Sequence, residues 1–225
     1  ARLGAAAWLP VLPALPGCAP MTPTTEASTG AADAPGAFEQ RIDAAFEYAF
    51  PLYEMARTRW LALEAPQNPA RGSANQVQHR RSLADHRARA VTTPNNDTLY
   101  SSCWLDLSGG PVQVMVDALP AGRYWSVALM DFFTNHTAML GSRLDGRGPV
   151  AVTLVGPRWR GPRPAGRVLD APGDDVWLLG RWLVDGTADL PAARAMQDGL
   201  KLLPFAGASV SQVPPSVPRP VPRGV

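Results

Sequence analysis

Three histidines, His79, His86 and His136, are the side chains best suited to acid–base or metal chemistry near neutral pH. His79 and His86 are seven residues apart, and on one regular helix they would lie about 10.5 Å apart along its axis. That separation is too long for both imidazoles to bind one ion, so we assign no metal site. We expect His86 to be solvated and His79 to be a hydrogen-bonded structural histidine, with a metal role beside Asp85 or Asp97 as the alternative.

Two aspartates occupy positions where loops commonly place functional groups on a rigid sheet. Asp97 immediately precedes a predicted strand, and Asp131 ends another, with His136 shortly after it. A hydrolytic or lyase-like enzyme, with or without a metal, would use His79, Asp97, Asp131 and His136 for proton transfer. The alternative is turn chemistry, in which short polar side chains bond their own backbone. The sequence therefore leaves the question of an enzyme open, with catalytic residues and cofactors unassigned.

A polar segment between the first helix and the first long strand supplies a second kind of site. Polar groups buried there without partners would cost about 1 to 3 kcal/mol each, so they must either face a solvated cleft or satisfy one another. We expect this patch to bind a small ligand or to dock a partner domain. Its members are Asn75, His79, Asp85, Arg89, Asn96, Asp97 and Tyr100.

Hydrophobic periodicity indicates the elements that hold these residues. Apolar residues recur at helical spacing from Phe38 to Trp60, which predicts a helical region over residues 37–64, kinked or broken at Pro51. We expect its Met and aromatic stripe to pack in the core. A second helix is predicted near the C-terminal end of the domain, with Asp189 as its cap, Pro191 in its first turn and good helix formers from Ala192 to Leu200.

Strand signals fill the middle of the chain. Alternating or continuous apolar runs predict strands at residues 99–106, 112–116, 123–132, 150–155 and 176–184, with glycine and proline turns between them. Short strands without intervening helices favour an antiparallel sheet or sandwich. The predicted class is α+β, with an N-terminal helical region packed on that sheet and a short C-terminal helix.

The N-terminal residues resemble a bacterial lipoprotein signal. A basic start and the apolar run Leu3–Leu15 lead into Leu15-Pro16-Gly17-Cys18, and an apolar segment of that length is typical of a signal core. Cleavage would make Cys18 the lipidated first residue. We therefore expect a protein on the periplasmic side of the bacterial envelope that contacts the membrane only through a lipid anchor.

Composition divides the chain into four parts. We expect a signal segment over residues 1–18, a disordered tether over 19–36, a single globular domain over 37–206 and a Pro-rich disordered tail over 207–225. If Cys18 carries lipid, Cys103 is the only other cysteine, so no disulfide forms within the chain and we expect a buried thiol.

Charge and hydropathy exclude two classes of protein. The 21 basic and 19 acidic side chains give a formal net charge of +2, and the basic residues form no single cluster, so we expect no nucleic-acid partner. No proline-free run of about 18 apolar residues exists, which excludes a membrane-spanning helix.

Several motifs together resemble the bacterial family catalogued as domain of unknown function 1254, over roughly residues 40 to 204. The most specific is the Thr-Pro-Asn-Asn-Asp-Thr-Leu-Tyr-Ser segment. The motifs are Tyr48–Arg59, Asn75, His79, Leu83–Asp85, Thr93–Ser101, Trp104–Leu107, Gly122–Tyr124 and Leu178–Gly186.

This resemblance implies β-rich modules that commonly occur in pairs, with a second domain, catalogued as 1214, after the first. The Pro-rich end leaves no room for that domain, so we expect a stand-alone first domain, a partner domain on a separate polypeptide, or a homo-oligomer. The family supplies no established catalytic residues. Our leading hypothesis is an exported domain that binds a small ligand or docks a partner; the alternatives are the enzyme described above and a purely structural role in the envelope.

Overall fold

A computed structural model of the chain describes residues 36–68, 72–88 and 93–205. The predicted lipidation site Cys18, the tether up to residue 35, the Pro-rich tail from residue 207 and Arg89 of the polar patch lie outside the described residues. The chain divides into two compact units after Arg41, and the sheets described below belong to the second unit. In the described residues, no helix has the length and apolar character needed to cross a bilayer.

Two α-helices and nine strands make up the described part of the chain, with one turn of 3-10 helix before the second α-helix. In chain order they are α1 (Ala37–Leu63), β1 (Gln78–His79), β2 (Thr98–Asp106), β3 (Val112–Val116), β4 (Trp125–Met130), β5 (His136–Gly141), β6 (Val150–Val155), β7 (Val168–Asp170), β8 (Asp175–Leu183), the 3-10 turn (Thr187–Asp189), α2 (Leu190–Asp198) and β9 (Leu200–Pro204).

The strands form two sheets. The first has the order β1-β2-β8-β4-β5 and the second the order β7-β6-β3-β9. Every pairing between the described strands is antiparallel except β6 with β7. The α+β class is therefore confirmed, with one long N-terminal helix and one short C-terminal helix.

The core lies between the two sheets. Alternate residues of the first sheet, such as Leu99 and Val127, join Val114 and Val152 of the second sheet in one buried cluster. The longest pairing is β2 with β8. Its register runs from Thr98 opposite Leu183 to Asp106 opposite Asp175, so the start of β2 lies beside the end of β8.

The structure corrects three expectations about the elements. α1 continues through Pro51 as one helix, so of the two expected outcomes, a kink or a break, the break does not occur. Its N-terminal half does not pack in the core, since Phe38, Ile42 and Phe46 are exposed. Asp189 precedes α2 as predicted, but its carboxylate makes no hydrogen bond to that helix; it pairs instead with Arg123.

Candidate functional site

Asn75 is held by the end of β2. Its side-chain amide donates to the carbonyl oxygen of Asp106 at 3.0 Å and accepts from the Asp106 backbone N–H at 2.9 Å, so the side chain pairs as a strand backbone would. Its own N–H donates to the carbonyl oxygen of Trp104. Asn75 has a φ of 60°, a left-handed conformation that asparagine tolerates better than most residues. The carbonyl oxygen and the NH2 group of its side chain therefore both form hydrogen bonds within the fold.

His79 belongs to a cluster centred on the hydroxyl of Ser101, which is fully buried. The His79 Nδ1 atom lies 2.8 Å from Ser101 Oγ. Trp182 Nε1 donates to the same oxygen at 2.9 Å, and Gln197 Nε2 approaches it at 3.3 Å. Strands β1, β2 and β8 and helix α2 therefore meet at one oxygen atom.

The Ser101 hydroxyl can both accept and donate hydrogen bonds. Trp182 Nε1 donates to it, while the two hydrogens of the Gln197 amide also have the carbonyl oxygens of Tyr100 and Arg80 within reach, at 2.9 and 3.2 Å. The contact between His79 and Ser101 therefore fits either neutral tautomer of the imidazole. Burial lowers the pKa of His79, Arg81 lowers it further, and Asp198 acts in the opposite direction.

The remaining described members of the patch make local contacts. The Asp85 carboxylate is exposed and accepts the backbone N–H of Arg87 at 2.9 Å. Asn96 and Asp97 are exposed before β2, and the Tyr100 hydroxyl accepts the backbone N–H of Asn95 at 3.0 Å. His86 is exposed as well. These contacts of Asp85 and Tyr100 are thus each made with a backbone N–H close by in the sequence.

The four residues of the enzyme hypothesis do not come together. Asp131 and His136 lie at one corner of the first sheet, where Met130 pairs with His136, whereas His79 and Asp97 lie elsewhere on that sheet. His79 is on β1 and His136 is on β5, the two opposite edges of the first sheet, which places them about four strand spacings, or about 19 Å, apart. Asp97 precedes β2 at one end of the sheet, and Asp131 follows β4 at the other end. Among the described residues, no group of three or more His, Cys, Asp and Glu side chains could hold a metal ion.

Asp131 stabilises its own turn. Its Oδ1 atom accepts the backbone N–H groups of Phe133 and Asn135 at 2.8 and 2.9 Å, and its Oδ2 atom accepts the Asn135 side chain at 3.0 Å. A cavity of about 300 Å³ lies beside it, lined in part by Asp174 and Asp175. Each of these two carboxylates pairs with an arginine, but the buried Oδ1 atom of Asp174 has no hydrogen-bond partner among the described residues.

The tryptophans pack within the sheets. Trp104 and Trp177 stack with ring centroids 5.5 Å apart, and the stacked pair of Trp125 and Trp182 is fully buried. Trp177 also donates from Nε1 to Ser102 Oγ at 2.9 Å. These four rings belong to the structural interior.

Helix α1 has two different faces. On one face, Arg59 is buried and pairs with Asp175 of β8, and the ring of Tyr48 lies 5.6 Å from that of Phe133. Met55 is buried on the same side. Arg59 and Met55 thus attach the C-terminal half of the helix, whereas every residue from Phe38 to Phe50, Tyr48 included, is exposed.

The other face of α1 exposes large apolar side chains. Successive helical residues are about 100° apart, so residues 42, 46, 50 and 53 fall within about 80° of arc, nearly opposite the attached face. We call these residues the apolar stripe: Ile42, Phe46, Phe50 and Tyr53, which are 53%, 64%, 46% and 42% exposed. Periodicity revealed the stripe, but it could not show that the stripe points away from the sheets.

Comparison with known proteins gives a family and a fold. A crystal structure of a protein from Vibrio parahaemolyticus matches 79% of this chain with 24% identity and a TM-score of 0.60. An uncharacterised protein from Burkholderia cenocepacia matches 83% of the chain and 47% of its own length, with 20% identity and a TM-score of 0.42. The chain spans only 41% of the Vibrio protein.

The search of curated proteins finds no match. The family model described as protein of unknown function DUF1254 matches residues 74–204, which include the polar segment, both sheets and α2. This chain therefore belongs to the DUF1254 family.

Proposed function

We propose that this chain is a docking module, and that the apolar stripe of α1 is the surface that a second folded module covers. The observation that carries the proposal is the exposure of Ile42, Phe46, Phe50 and Tyr53 on one side of a helix whose C-terminal half is fixed through Arg59. Recognition of a helix by a groove commonly uses large apolar residues three and four positions apart, which is the spacing of these four side chains.

The chemistry of the stripe favours a protein partner over a small polar ligand. Burying apolar surface is worth about 25 cal/mol per Å², and contiguous exposed apolar side chains on a soluble domain commonly mark an interaction site. Phe46 and Phe50 already contact each other, with ring centroids 5.3 Å apart. A partner can therefore cover a preformed aromatic pair and does not have to order it.

The occupant we propose is a second β-rich module, on the same or a separate polypeptide. Support comes from the resemblance of the family to paired β-rich modules, and from the Vibrio structure, more than half of which lies outside the region that this chain matches. We prefer docking to ligand binding because Asn75, His79, Asp85 and Tyr100 each make their own hydrogen bonds within the fold.

We further propose export and lipid anchoring, on the sequence around Cys18. A single acyl chain holds a protein only marginally at a membrane, so retention requires the additional acyl groups that a lipoprotein cysteine receives. Labelled fatty acid should enter the wild-type protein and should not enter the Cys18→Ser variant. Equal labelling of both, or none of either, would refute the anchor.

The docking proposal is tested by a photo-crosslinking amino acid placed at Phe46 of the full chain in the bacterium that produces it. The matched control is Leu144, an apolar side chain that is 67% exposed in the turn after β5. We expect one folded module to be crosslinked from Phe46 and not from Leu144. The proposal would be contradicted if both positions gave identical products. It would also be contradicted if Phe46 gave no product, or crosslinked only to lipid or to a second copy of this chain.

Affinity measurement then separates docking from chance proximity. Once the crosslinked module is purified, Phe46→Asp should weaken its binding at least about tenfold because one aspartate is placed in a buried apolar contact. Leu144→Asp should leave the affinity unchanged. Because both side chains are exposed, neither change should lower the stability of the folded domain. Unchanged binding by Phe46→Asp would refute the role of the stripe.

A further inference from the structure

The connection between β6 and β7, residues 156–167, borders a cavity of about 270 Å³. The cavity lies beside Val155, the last residue of β6, and Ala171, whose N–H donates to the Val155 carbonyl oxygen at 2.8 Å. Ligand pockets in proteins commonly measure about 300 to 1,000 Å³, so this cavity has room for a ligand of about one ring. Its aromatic and charged lining residues are Trp159, Arg163 and Asp170.

Trp159 is held in this connection by two contacts. Its Nε1 atom donates to the carbonyl oxygen of Pro162 at 3.1 Å. Gly161 packs against the indole so closely that a Cβ atom at this position would lie 2.2 Å from the ring, so any side chain there would displace Trp159. Unlike the four tryptophans of the strands, which are stacked in pairs, Trp159 is half-buried and lines a cavity. A side chain that is already fixed has little conformational freedom left to lose when a ligand covers it.

Arg163 and Asp170 form an ion pair with two hydrogen bonds at the same cavity. The Nη1 and Nη2 atoms of Arg163 donate to Oδ1 and Oδ2 of Asp170 at 2.9 and 3.0 Å, and both side chains are mostly exposed. A guanidinium has five N–H donors, and a carboxylate has about four lone-pair sites. Because the pair uses two of each, about three N–H groups and about two lone-pair sites remain for a ligand.

The charges of this connection are balanced, which disfavours an ionic ligand. Three of its four arginines pair with aspartates: Arg158 with Asp174, Arg163 with Asp170 and Arg167 with Asp145. The fourth, Arg160, donates to backbone carbonyl oxygens and does not line the cavity. The cavity lining therefore carries one positive and one negative charge, and an anion or a cation would gain no net electrostatic attraction there.

We propose that this cavity is a binding site for an uncharged saccharide, of which it accepts one ring. A sugar ring has C–H groups on its faces and hydroxyl groups around its edge. The C–H face can pack on the indole of Trp159. Each hydroxyl can both donate and accept, which matches the N–H groups and lone pairs that Arg163 and Asp170 leave free. The site lies beside the second sheet, apart from the apolar stripe, and does not depend on the docking proposal.

The test is an NMR titration of the full chain with glucose, galactose and N-acetylglucosamine. We expect at least one of these sugars to shift the indole N–H signal of Trp159 in a saturable way; the loss of that signal in Trp159→Phe assigns it. Sulfate is the anionic control and benzene the apolar control, and neither should bind as tightly as that sugar. The proposal is overturned if no sugar shifts this signal saturably, or if sulfate or benzene binds at Trp159 more tightly than every sugar.

Three variants make this experiment specific. Trp159→Ala and Arg163→Ala each remove one side of the site and should weaken sugar binding, followed on the signals of the sugar, at least about tenfold. Arg143→Ala removes an exposed arginine from the turn after β5 and should bind as wild type does. Because neither site residue belongs to the buried core, the melting temperatures should stay close to that of wild type. Wild-type affinity in both site variants, or an equal loss in Arg143→Ala, would overturn the site.

Discussion

Arg59 of α1 donates from its Nε atom to the Oδ1 atom of Asp175, the first residue of β8, at 3.1 Å and across 116 residues of sequence. Its Nη1 atom also donates to Glu64 at 2.9 Å. Arg59 is buried, and these contacts fix the attached face of α1 at the end of the first sheet. The orientation of the apolar stripe is therefore set by an ion pair at the other end of the helix.

We expect Arg59→Ala to lower the free energy of unfolding by about 3 to 5 kcal/mol, because the change removes a buried guanidinium that pairs with both Asp175 and Glu64. Arg57→Ala is the control. Arg57 lies two residues away on the same helix, and its pair with Glu54 is exposed at 3.6 Å, so its loss should cost less than about 1 kcal/mol. Urea unfolding of both variants measures the difference, and equal losses would contradict the structural role of Arg59.

A second prediction concerns the polar patch. Asn75→Ala removes two hydrogen bonds to the end of β2 and places alanine at a positive φ, so we expect a loss of about 2 to 4 kcal/mol. Asp97→Asn changes an exposed side chain and should alter stability by less than about 0.5 kcal/mol. Thermal and urea unfolding test both. A stable Asn75→Ala protein, or an unstable Asp97→Asn protein, would contradict the contacts described for that position.

The sequence predicted the strands whose side chains alternate against a core. The observed bounds of β3 and β6 are those expected, and those of β2 and β8 differ by one residue. Strand β5 was missed because it begins with exposed polar residues at a sheet edge, and β9 because it follows α2 after a single glycine. A pattern based on burial cannot identify a strand that is half exposed.

The candidate site was harder to predict because its contacts join distant residues. The spacing of His79 and Ser101 gives no sign that they meet; their contact depends on the register of β1 with β2. In α1, periodicity identified apolar positions on both faces but could not say which face the sheets would cover. The contact of His79 with Ser101 and the choice of the covered face of α1 both depend on tertiary packing.

A third prediction uses the pH dependence of the Arg123–Asp189 pair, whose side chains approach at 2.6 Å. The hydrogen bond from Arg123 lowers the pKa of Asp189 below its usual 3.8, and the backbone N–H of Asp185 lowers it further. The stabilisation that this ion pair gives the folded state is therefore fully present above about pH 4. It is lost as the pH falls through the pKa of Asp189 in the folded protein.

We expect the melting temperature of Asp189→Asn to be lower than that of wild type at neutral pH, and the gap to narrow as the solution becomes more acidic than pH 3.8. Thermal unfolding followed by circular dichroism at several pH values measures this gap. Asp185→Asn is a suitable control, since the described contact of Asp185 with Asp189 uses its backbone N–H. If the difference in melting temperature between wild type and Asp189→Asn instead grew in acid, the stabilising role of the Arg123–Asp189 pair would be contradicted.

The last prediction concerns Cys103, whose thiol is buried in β2. Burial raises its pKa to about 12, although the backbone N–H groups of Asn75 and Gln76 act to lower it. The reactive species is the thiolate, so a buried thiol with this pKa is protected both by its protonation and by its lack of access. Modification by iodoacetamide near pH 8 should therefore require the protein to open.

The measurement uses the Cys18→Ser variant, in which Cys103 is the only thiol, since the chain has two cysteines. We expect no labelling of the folded protein on the timescale that labels a free thiol, and a rate that rises with urea in parallel with unfolding. Arg59→Ala should increase the labelling rate in buffer because it raises the population of open molecules. Rapid labelling of the folded variant without urea would show that Cys103 is accessible, and would contradict the burial of its side chain in the core.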